Sequence, residues 1–324
     1  MATYVRTQSI EHAVGERGSV SIKVTEGDVR IQGVSGPDAR IRATFEIRAS
    51  SDKEADDIFE AVKLRVVTGP GTLSAEEPGG GATIGKVISR LFSGAGHADL
   101  AVEAFLPPDA QLHLSGVSSD VEASGLRGDQ RYSTVSGDLR LVDAGGSLQL
   151  MAVSGDTSVT SPESISVAAE SVSGDVAITA PRLRSLQAST VSGDIELEAE
   201  LSIGGAFSIS TVSGDLSIGL LGSATFEIRG LSTDVHSEID HRLEGRSDRR
   251  RLIIGQGGPT VVFSSMSGDV EVRRPRHLAR RPEQAQAPSV PDPEAQLEIL
   301  RLLESGEITV DEATRRLAGG SAGA

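Results

Sequence analysis

Four letters, V-S-G-D, recur along the 324-residue chain at nearly constant spacing. Aligned on the aspartate, the copies stand at Asp120, Asp138, Asp156, Asp175, Asp194, Asp215, Asp234 and Asp269, with intervals of 18, 18, 19, 19, 21, 19 and 35 residues. Six read S-G-D in full: Ser136-Gly137-Asp138, Ser154-Gly155-Asp156, Ser173-Gly174-Asp175, Ser192-Gly193-Asp194, Ser213-Gly214-Asp215 and Ser267-Gly268-Asp269. V-S-S-D at Asp120 and L-S-T-D at Asp234 are degenerate, and T-E-G-D at Asp28 reads as an early copy before a long interruption. A period near 19 residues marks a stack of equal units.

After each aspartate, apolar residues alternate: Leu139 and Leu141, Val176 and Ile178, Ile195 and Leu197. That is the period of a strand with one buried face. A turn follows, then a second alternation, such as Leu148, Leu150, Val153 or Val167, Ala169, Val172. Its last step is three residues, which predicts a bend or bulge before the motif, with the valine facing inward. The expected fold is all-β: a β-solenoid or β-helix-like stack of strand-turn-strand coils, each about 19 residues long, pairing with its copies about 4.8 Å above and below. A β-sandwich of repeated hairpins is the alternative, and it would be antiparallel.

In a stack, the motif is one corner written many times. Glycine permits φ > 0 there, and Ser and Asp side chains can bond backbone groups that leave the ladder. The competing reading is a calcium ladder. Stacked aspartates repel by about 1 kcal/mol per neighbouring pair in water-like dielectric, and a bound cation would relieve this. Against it, each coil offers one Asp, whereas nonapeptide β-rolls supply ligands from both turns.

Composition supports short strands and tight turns: aromatics are 3%, Trp is absent and there are 37 glycines. The absence of cysteine excludes disulfides and thiolate chemistry. Net charge is −15, and residues 1–239 carry 18 Lys and Arg against 33 acids, which argues against nucleic acid as a partner. The six histidines (His12, His97, His113, His236, His241, His277) share no metal-ligand spacing. No nucleophile elbow, P-loop or dinucleotide motif occurs. The expectation is a protein that is not an enzyme, with no cofactor and no metal. The acidic run D-I-E-L-E-A-E from Asp194 leaves a polysaccharide-active solenoid as an alternative. With no signal peptide and no long uncharged run, the chain reads as soluble and cytoplasmic.

The interruptions have their own character. Residues 51–64 read as a helix, with a capping box of Ser51 and Glu54 and a stripe of Ile58, Phe59 and Val62, suited to covering a sheet edge. The segment near 76–98 holds Ile84, Val87, Ile88, Leu91 and Phe92 at helical spacing beside glycine-rich flanks, and reads as a mobile segment or a docked helix. Arg246, Arg249, Arg250 and Arg251 belong on an exposed hairpin. Residues 1–273 form the repeat domain and 274–291 a Pro/Arg-rich linker, where Arg273, Arg274, Arg276, Arg280 and Arg281 offer peripheral contact with an anionic membrane. Residues 292–319 read as a helical hairpin with Pro293 at its first helical position and Leu297, Leu300, Leu303, Ile308 and Leu317 as its apolar face. That hairpin is too small for a core of its own, so it must dock on its own body, on a second copy or on another protein.

The stretch S-V-S-I-K-V-T-E-G-D-V-R-I-Q-G-V-S-G from Ser19, with the V-S-G-D copies that follow, resembles the bacterial putative-adhesin β-strand-repeat family, a domain of unknown function, over about residues 15–273. The tail L-E-I-L-R-L-L-E-S-G-E-I-T-V-D-E-A-T-R-R-L resembles a SHOCT-like short helical domain. The resemblance implies a β-helical body, bacterial origin and no established enzymatic activity. It also implies a link to envelope stress in some relatives, and oligomerisation through the tail.

Overall fold

The computed structural model describes residues 2–78, 98–246 and 249–276, which belong to one compact unit. Most of the 76–98 segment and of the 274–291 linker, and all of the 292–319 hairpin with its five apolar residues, lie outside the described residues.

In chain order the N-terminal part is β1 (Ala2–Ala13), β2 (Ser19–Lys23), β3 (Asp28–Gly33), β4 (Asp38–Ala49), α1 (Asp52–Val62), β5 (Arg65–Gly69), β6 (Thr72–Glu76) and β7 (Ala98–Leu106). The regular coils follow: β8 (Gln111–Ser115), β9 (Val121–Ser124), β10 (Gln130–Thr134), β11 (Leu139–Val142), β12 (Ser147–Ser154), β13 (Thr157–Thr160), β14 (Ser164–Ser173), β15 (Val176–Ser192), β16 (Ile195–Leu201), β17 (Phe207–Ser213) and β18 (Leu216–Leu221). The C-terminal part is β19 (Ala224–Ser232), β20 (Val235–Ser237), β21 (His241–Arg246), β22 (Arg249–Ile254), β23 (Thr260–Ser267) and β24 (Val270–Arg273).

Each coil places one strand on each of two faces. On the front face β2, β8, β10, β12, β14, the second half of β15, β17, β23 and β19 pair in that order, all parallel. On the back face the order is β3, β9, β11, β13, the first half of β15, β16, β18, β24 and β20, again all parallel. The parallel pairing excludes the hairpin sandwich and gives the solenoid-like stack. Inward rows such as Leu114, Leu150 and Ile209 from the front, and Leu139, Ile195 and Leu216 from the back, build one core. Each such side chain contributes about 1.5–3 kcal/mol by leaving water.

The coils do not stack in the order in which they are written. The Asp234 coil (β19, β20) lies outermost, and the Asp269 coil (β23, β24) inserts between it and the Asp215 coil. The 35-residue interval is therefore a step back into the stack. The N-terminal end mirrors this. The Asp28 coil (β2, β3) stacks directly on the Asp120 coil, while β6 and β7, later in sequence, pair on its outer side.

Antiparallel strands close both ends. β5 pairs with β6 at the front, and β4 and then β1 extend from β7 at the back. Helix α1 caps this end as expected: Ala55 is fully buried, and Phe59 meets Phe45 edge-on with ring centroids 5.5 Å apart. Ser51 Oγ accepts from Glu54 N at 3.2 Å. The return half of the capping box is displaced, because the Glu54 carboxylate accepts from the Ser50 N–H and hydroxyl rather than from Ser51. Those bonds hold the Glu54 carboxyl below its usual range. At the other end β22 pairs antiparallel with β19, and β21 with β22. This is the arginine-bearing hairpin, with Arg249 and Arg251 exposed.

One polar pair sits inside the core. Tyr132 is fully buried, and its hydroxyl donates to Gln130 Oε1 at 2.8 Å. Gln130 Nε2 donates to the carbonyls of Leu126 and Gly145, both at 3.1 Å. Nothing in the alternation pattern signals this pair, since a glutamine at an inward position reads as a break.

Candidate functional site: the stacked corner

The six S-G-D copies and their two degenerate relatives meet along one edge of the stack. The Asp138 backbone N–H donates to Asp120 Oδ1 at 2.9 Å, and Asp156 to Asp138, Asp175 to Asp156, Asp194 to Asp175 and Asp215 to Asp194 continue the series at 2.8–2.9 Å. Asp269 then donates to Asp215 at 2.7 Å and Asp234 to Asp269 at 2.8 Å, which retraces the inverted order of the last two coils. Each Asp carbonyl also accepts from the residue after the neighbouring Asp, as in Thr157 N to Asp175 O at 2.8 Å. The aspartate thus captures a backbone N–H that has left the sheet ladder.

This arrangement gives the aspartates a structural role of their own beside the calcium reading. In seven of the eight aligned aspartates one carboxylate oxygen already holds an N–H, a role that needs no cation. Among the described residues, no group of three or more His, Asp or Glu side chains is placed to hold a metal ion. Asp175→Asn keeps an acceptor for the Asp194 N–H and removes two like-charge pairs, with Asp156 and with Asp194, so its melting temperature should equal or slightly exceed that of the wild type. Asp175→Ala strands that N–H and should cost about 1 kcal/mol by denaturant titration.

Three sequence expectations about the corner are corrected. The valine points outward, not inward: Val135, Val153, Val172, Val191 and Val212 are all exposed. The residue before it is the buried one, as in Thr134, Ala152, Ser171, Thr190 and Thr211. The strand therefore keeps period 2 up to the corner (Leu148, Leu150, Ala152), with no odd step. At three of these corners the inward residue is Thr, with the branching and size of valine, so strand parity rather than lack of room turns the valine out. The hydroxyls of Ser171, Thr190, Thr211 and Ser265 have no hydrogen-bond partner there, so they act as small fillers. The motif serines are also exposed and work through the backbone, as in Ser154 N to Val135 O at 2.9 Å.

Glycine is required chiefly by proximity. A Cβ on Gly155, Gly174, Gly193, Gly214 or Gly268 would overlap the carbonyl oxygen of the glycine in the neighbouring coil. Gly174 also has φ +126°, whereas Gly214 lacks a positive φ and still has no room.

The degenerate copies confirm that each corner holds one small side chain. In G-V-S-S-D, Gly116 replaces the inward residue and Ser119 replaces the glycine, and Ser119 is buried. In G-L-S-T-D, Gly230 and buried Thr233 repeat the exchange. A Cβ on Gly116 would stand 3.1 Å from Ser119 Cβ. Gly116→Thr alone should destabilise by about 1–3 kcal/mol through overpacking. Adding Ser119→Gly rebuilds the regular T-V-S-G corner and should recover most of that loss in a double-mutant cycle.

Two residues of the acidic run make ion pairs on the back face. Glu200 meets Arg182 at 2.8 Å, and Glu196 pairs with Arg273, itself buried. His113 lies on the front face near Arg131 and Lys23. Burial first, then those cations, hold its imidazole below the usual range. No helix among the described residues is long and apolar enough to cross a membrane.

Two parallel sheets joined by one repeated corner, and closed by antiparallel strands at each end, define a repeat protein of the solenoid class. More narrowly, the chain belongs to the Toastrack DUF4097 family, which matches residues 102–273, more than half of it. The match begins in β7, so the Asp28 coil and its cap precede it. Similar solved structures include one described as a putative lipid binding protein from Parabacteroides distasonis. It is 13% identical, with 82% of this chain and 96% of that one covered and a TM-score of 0.45. Another, described as a putative adhesin from Bacteroides fragilis, is 12% identical, with 82% and 97% covered and a TM-score of 0.41. No curated protein matches.

Proposed function

We propose that this protein is a non-enzymatic interaction scaffold whose working surface is the corner edge. One observation carries the reading. Val135, Val153, Val172, Val191, Val212 and Met266 form an aliphatic row, one residue per coil and 42–57% exposed, beside parallel rows of serine and aspartate. The fold does not need those branched side chains there, since a solvent-facing position on a strand accepts Thr or Ser at little cost. A rigid row with a repeat of about 4.8 Å suits a protein partner that presents an extended apolar segment. The resemblance of the tail to oligomerising domains supports a second contact there, and the link to envelope stress rests on the resemblance of the repeat body to its family.

The test is a triple variant, Val153→Ser, Val172→Ser and Val191→Ser, used with wild type as bait under identical conditions. Partners lost by a variant that melts like wild type support the reading, and identical partner sets overturn it. A calcium-stabilised form would show a rise in melting temperature with millimolar Ca²⁺, and the scaffold reading expects none.

A further inference from the structure

The two ends of the front sheet complement each other. At one end, among the described residues, β5 pairs only with β6, and Arg65, Val66, Val67 and Thr68 are all exposed, with Val67 at 69%. At the other end, again among the described residues, β21 pairs only with β22, and every residue of it is exposed. Unpaired edges of this kind are templates for another strand. Their directions differ: β5 runs against the coils, because it is antiparallel to β6, which is parallel to β2. β21 runs with them, through two antiparallel steps from β19. A second copy translated along the stack axis would therefore set its β5 antiparallel to β21, the same pairing that each strand already makes with its own neighbour.

Side chains select a register. Leu243 lies opposite buried Leu252 and Val66 opposite buried Ala75, so both face the core side, and both are uncovered at 47% and 37% exposure. Setting Leu243 against Val66 continues the core row across the junction. On the outer side the same register sets Glu244 against Arg65 and the Arg242 stem against Val67. Shifting by two residues would instead oppose Arg246 and Arg65, a like-charge pair. The surrounding charge agrees. Helix α1, which precedes β5 in sequence and packs on β4 and β1 at the same end, carries Asp52, Glu54, Asp56, Asp57 and Glu60 against Lys53, with Asp52 and Asp56 already meeting Arg6. Strands β21 and β22 carry Arg242, Arg246, Arg249, Arg250 and Arg251 against Glu244.

We infer that copies of this chain associate head to tail, the β21 edge of one copy adding to the β5 edge of the next and extending the front sheet. The contact is heterologous, so it does not close on itself and grows with concentration. It uses neither the valine row nor the tail, so it stands or falls separately from the proposed function.

The experiment is solution mass by light scattering on the full chain and on two exposed-site variants, Val66→Lys and Leu243→Lys, each checked for wild-type melting. Wild type should pass beyond dimer as concentration rises and dissociate at high salt. Each variant alone should be monomeric. Mixed one to one, they should form a dimer and stop, because Val66→Lys keeps a working β21 and Leu243→Lys a working β5. A wild type that stays monomeric up to about 1 mM overturns the inference. So do variants that still assemble alone, and assembly lost only when the chain is ended at Arg281.

Discussion

Gly174→Ala is expected to lower the melting temperature by roughly 6–12 °C, from a cost of about 3 kcal/mol spread over a body of this size. Two effects add. The residue sits at φ +126°, and its new Cβ would overlap the Gly155 carbonyl oxygen, which is backbone and cannot swing away. The neighbouring coil would have to rise, and every corner bond above it would stretch. Gly214→Ala separates the two effects: with no positive φ but the same blocked space, it should be nearly as damaging. Gly204→Ala is the control. It has φ +79° with nothing within 4 Å, so only the conformational cost of about 1–2 kcal/mol applies. If Gly214→Ala melts like wild type, conformational freedom rather than close stacking is what the motif glycine supplies.

Gln130→Leu should cost about 2–4 kcal/mol, although leucine suits the surrounding core in polarity and size. It strands the Tyr132 hydroxyl and the Leu126 and Gly145 carbonyls that Gln130 now serves. Tyr132→Phe alone should cost about 1–2 kcal/mol, and the double variant less than the sum, because each single change leaves the other partner unpaired. The pair also sets an alkaline limit. Burial pushes the Tyr132 phenol well above its usual range. In the unfolded chain it ionises near pH 10. Its contribution is therefore complete below about pH 10 and is lost as pH rises, at up to about 1.4 kcal/mol per unit. Urea titrations between pH 9 and about 11 should show that slope in wild type and a shallower one in Tyr132→Phe. Equal slopes would remove Tyr132 as the cause.

What the sequence determined by itself follows from local repetition. The period near 19 residues, the recurrence of one corner and the strand on each side of it are written in short-range patterns, and each copy reinforces the next. Helix α1 was legible for the same reason, since Ser51 and the stripe of Ile58, Phe59 and Val62 act within a few turns of chain. Tertiary structure decided the rest. Hydropathy places Val153 inside and Thr190 outside, yet strand parity, fixed by the inward core rows that precede each corner, turns the valine out. Gln130 reads as a break until Tyr132 and two turn carbonyls surround it. The order of the coils was also not written. Asp269 follows Asp234 in sequence but precedes it in the stack, because a coil pairs with any neighbour carrying the same corner. The antiparallel hairpin of β21 and β22, built on the outer side of β19, leaves the place between the Asp215 and Asp234 coils for the last coil to fill.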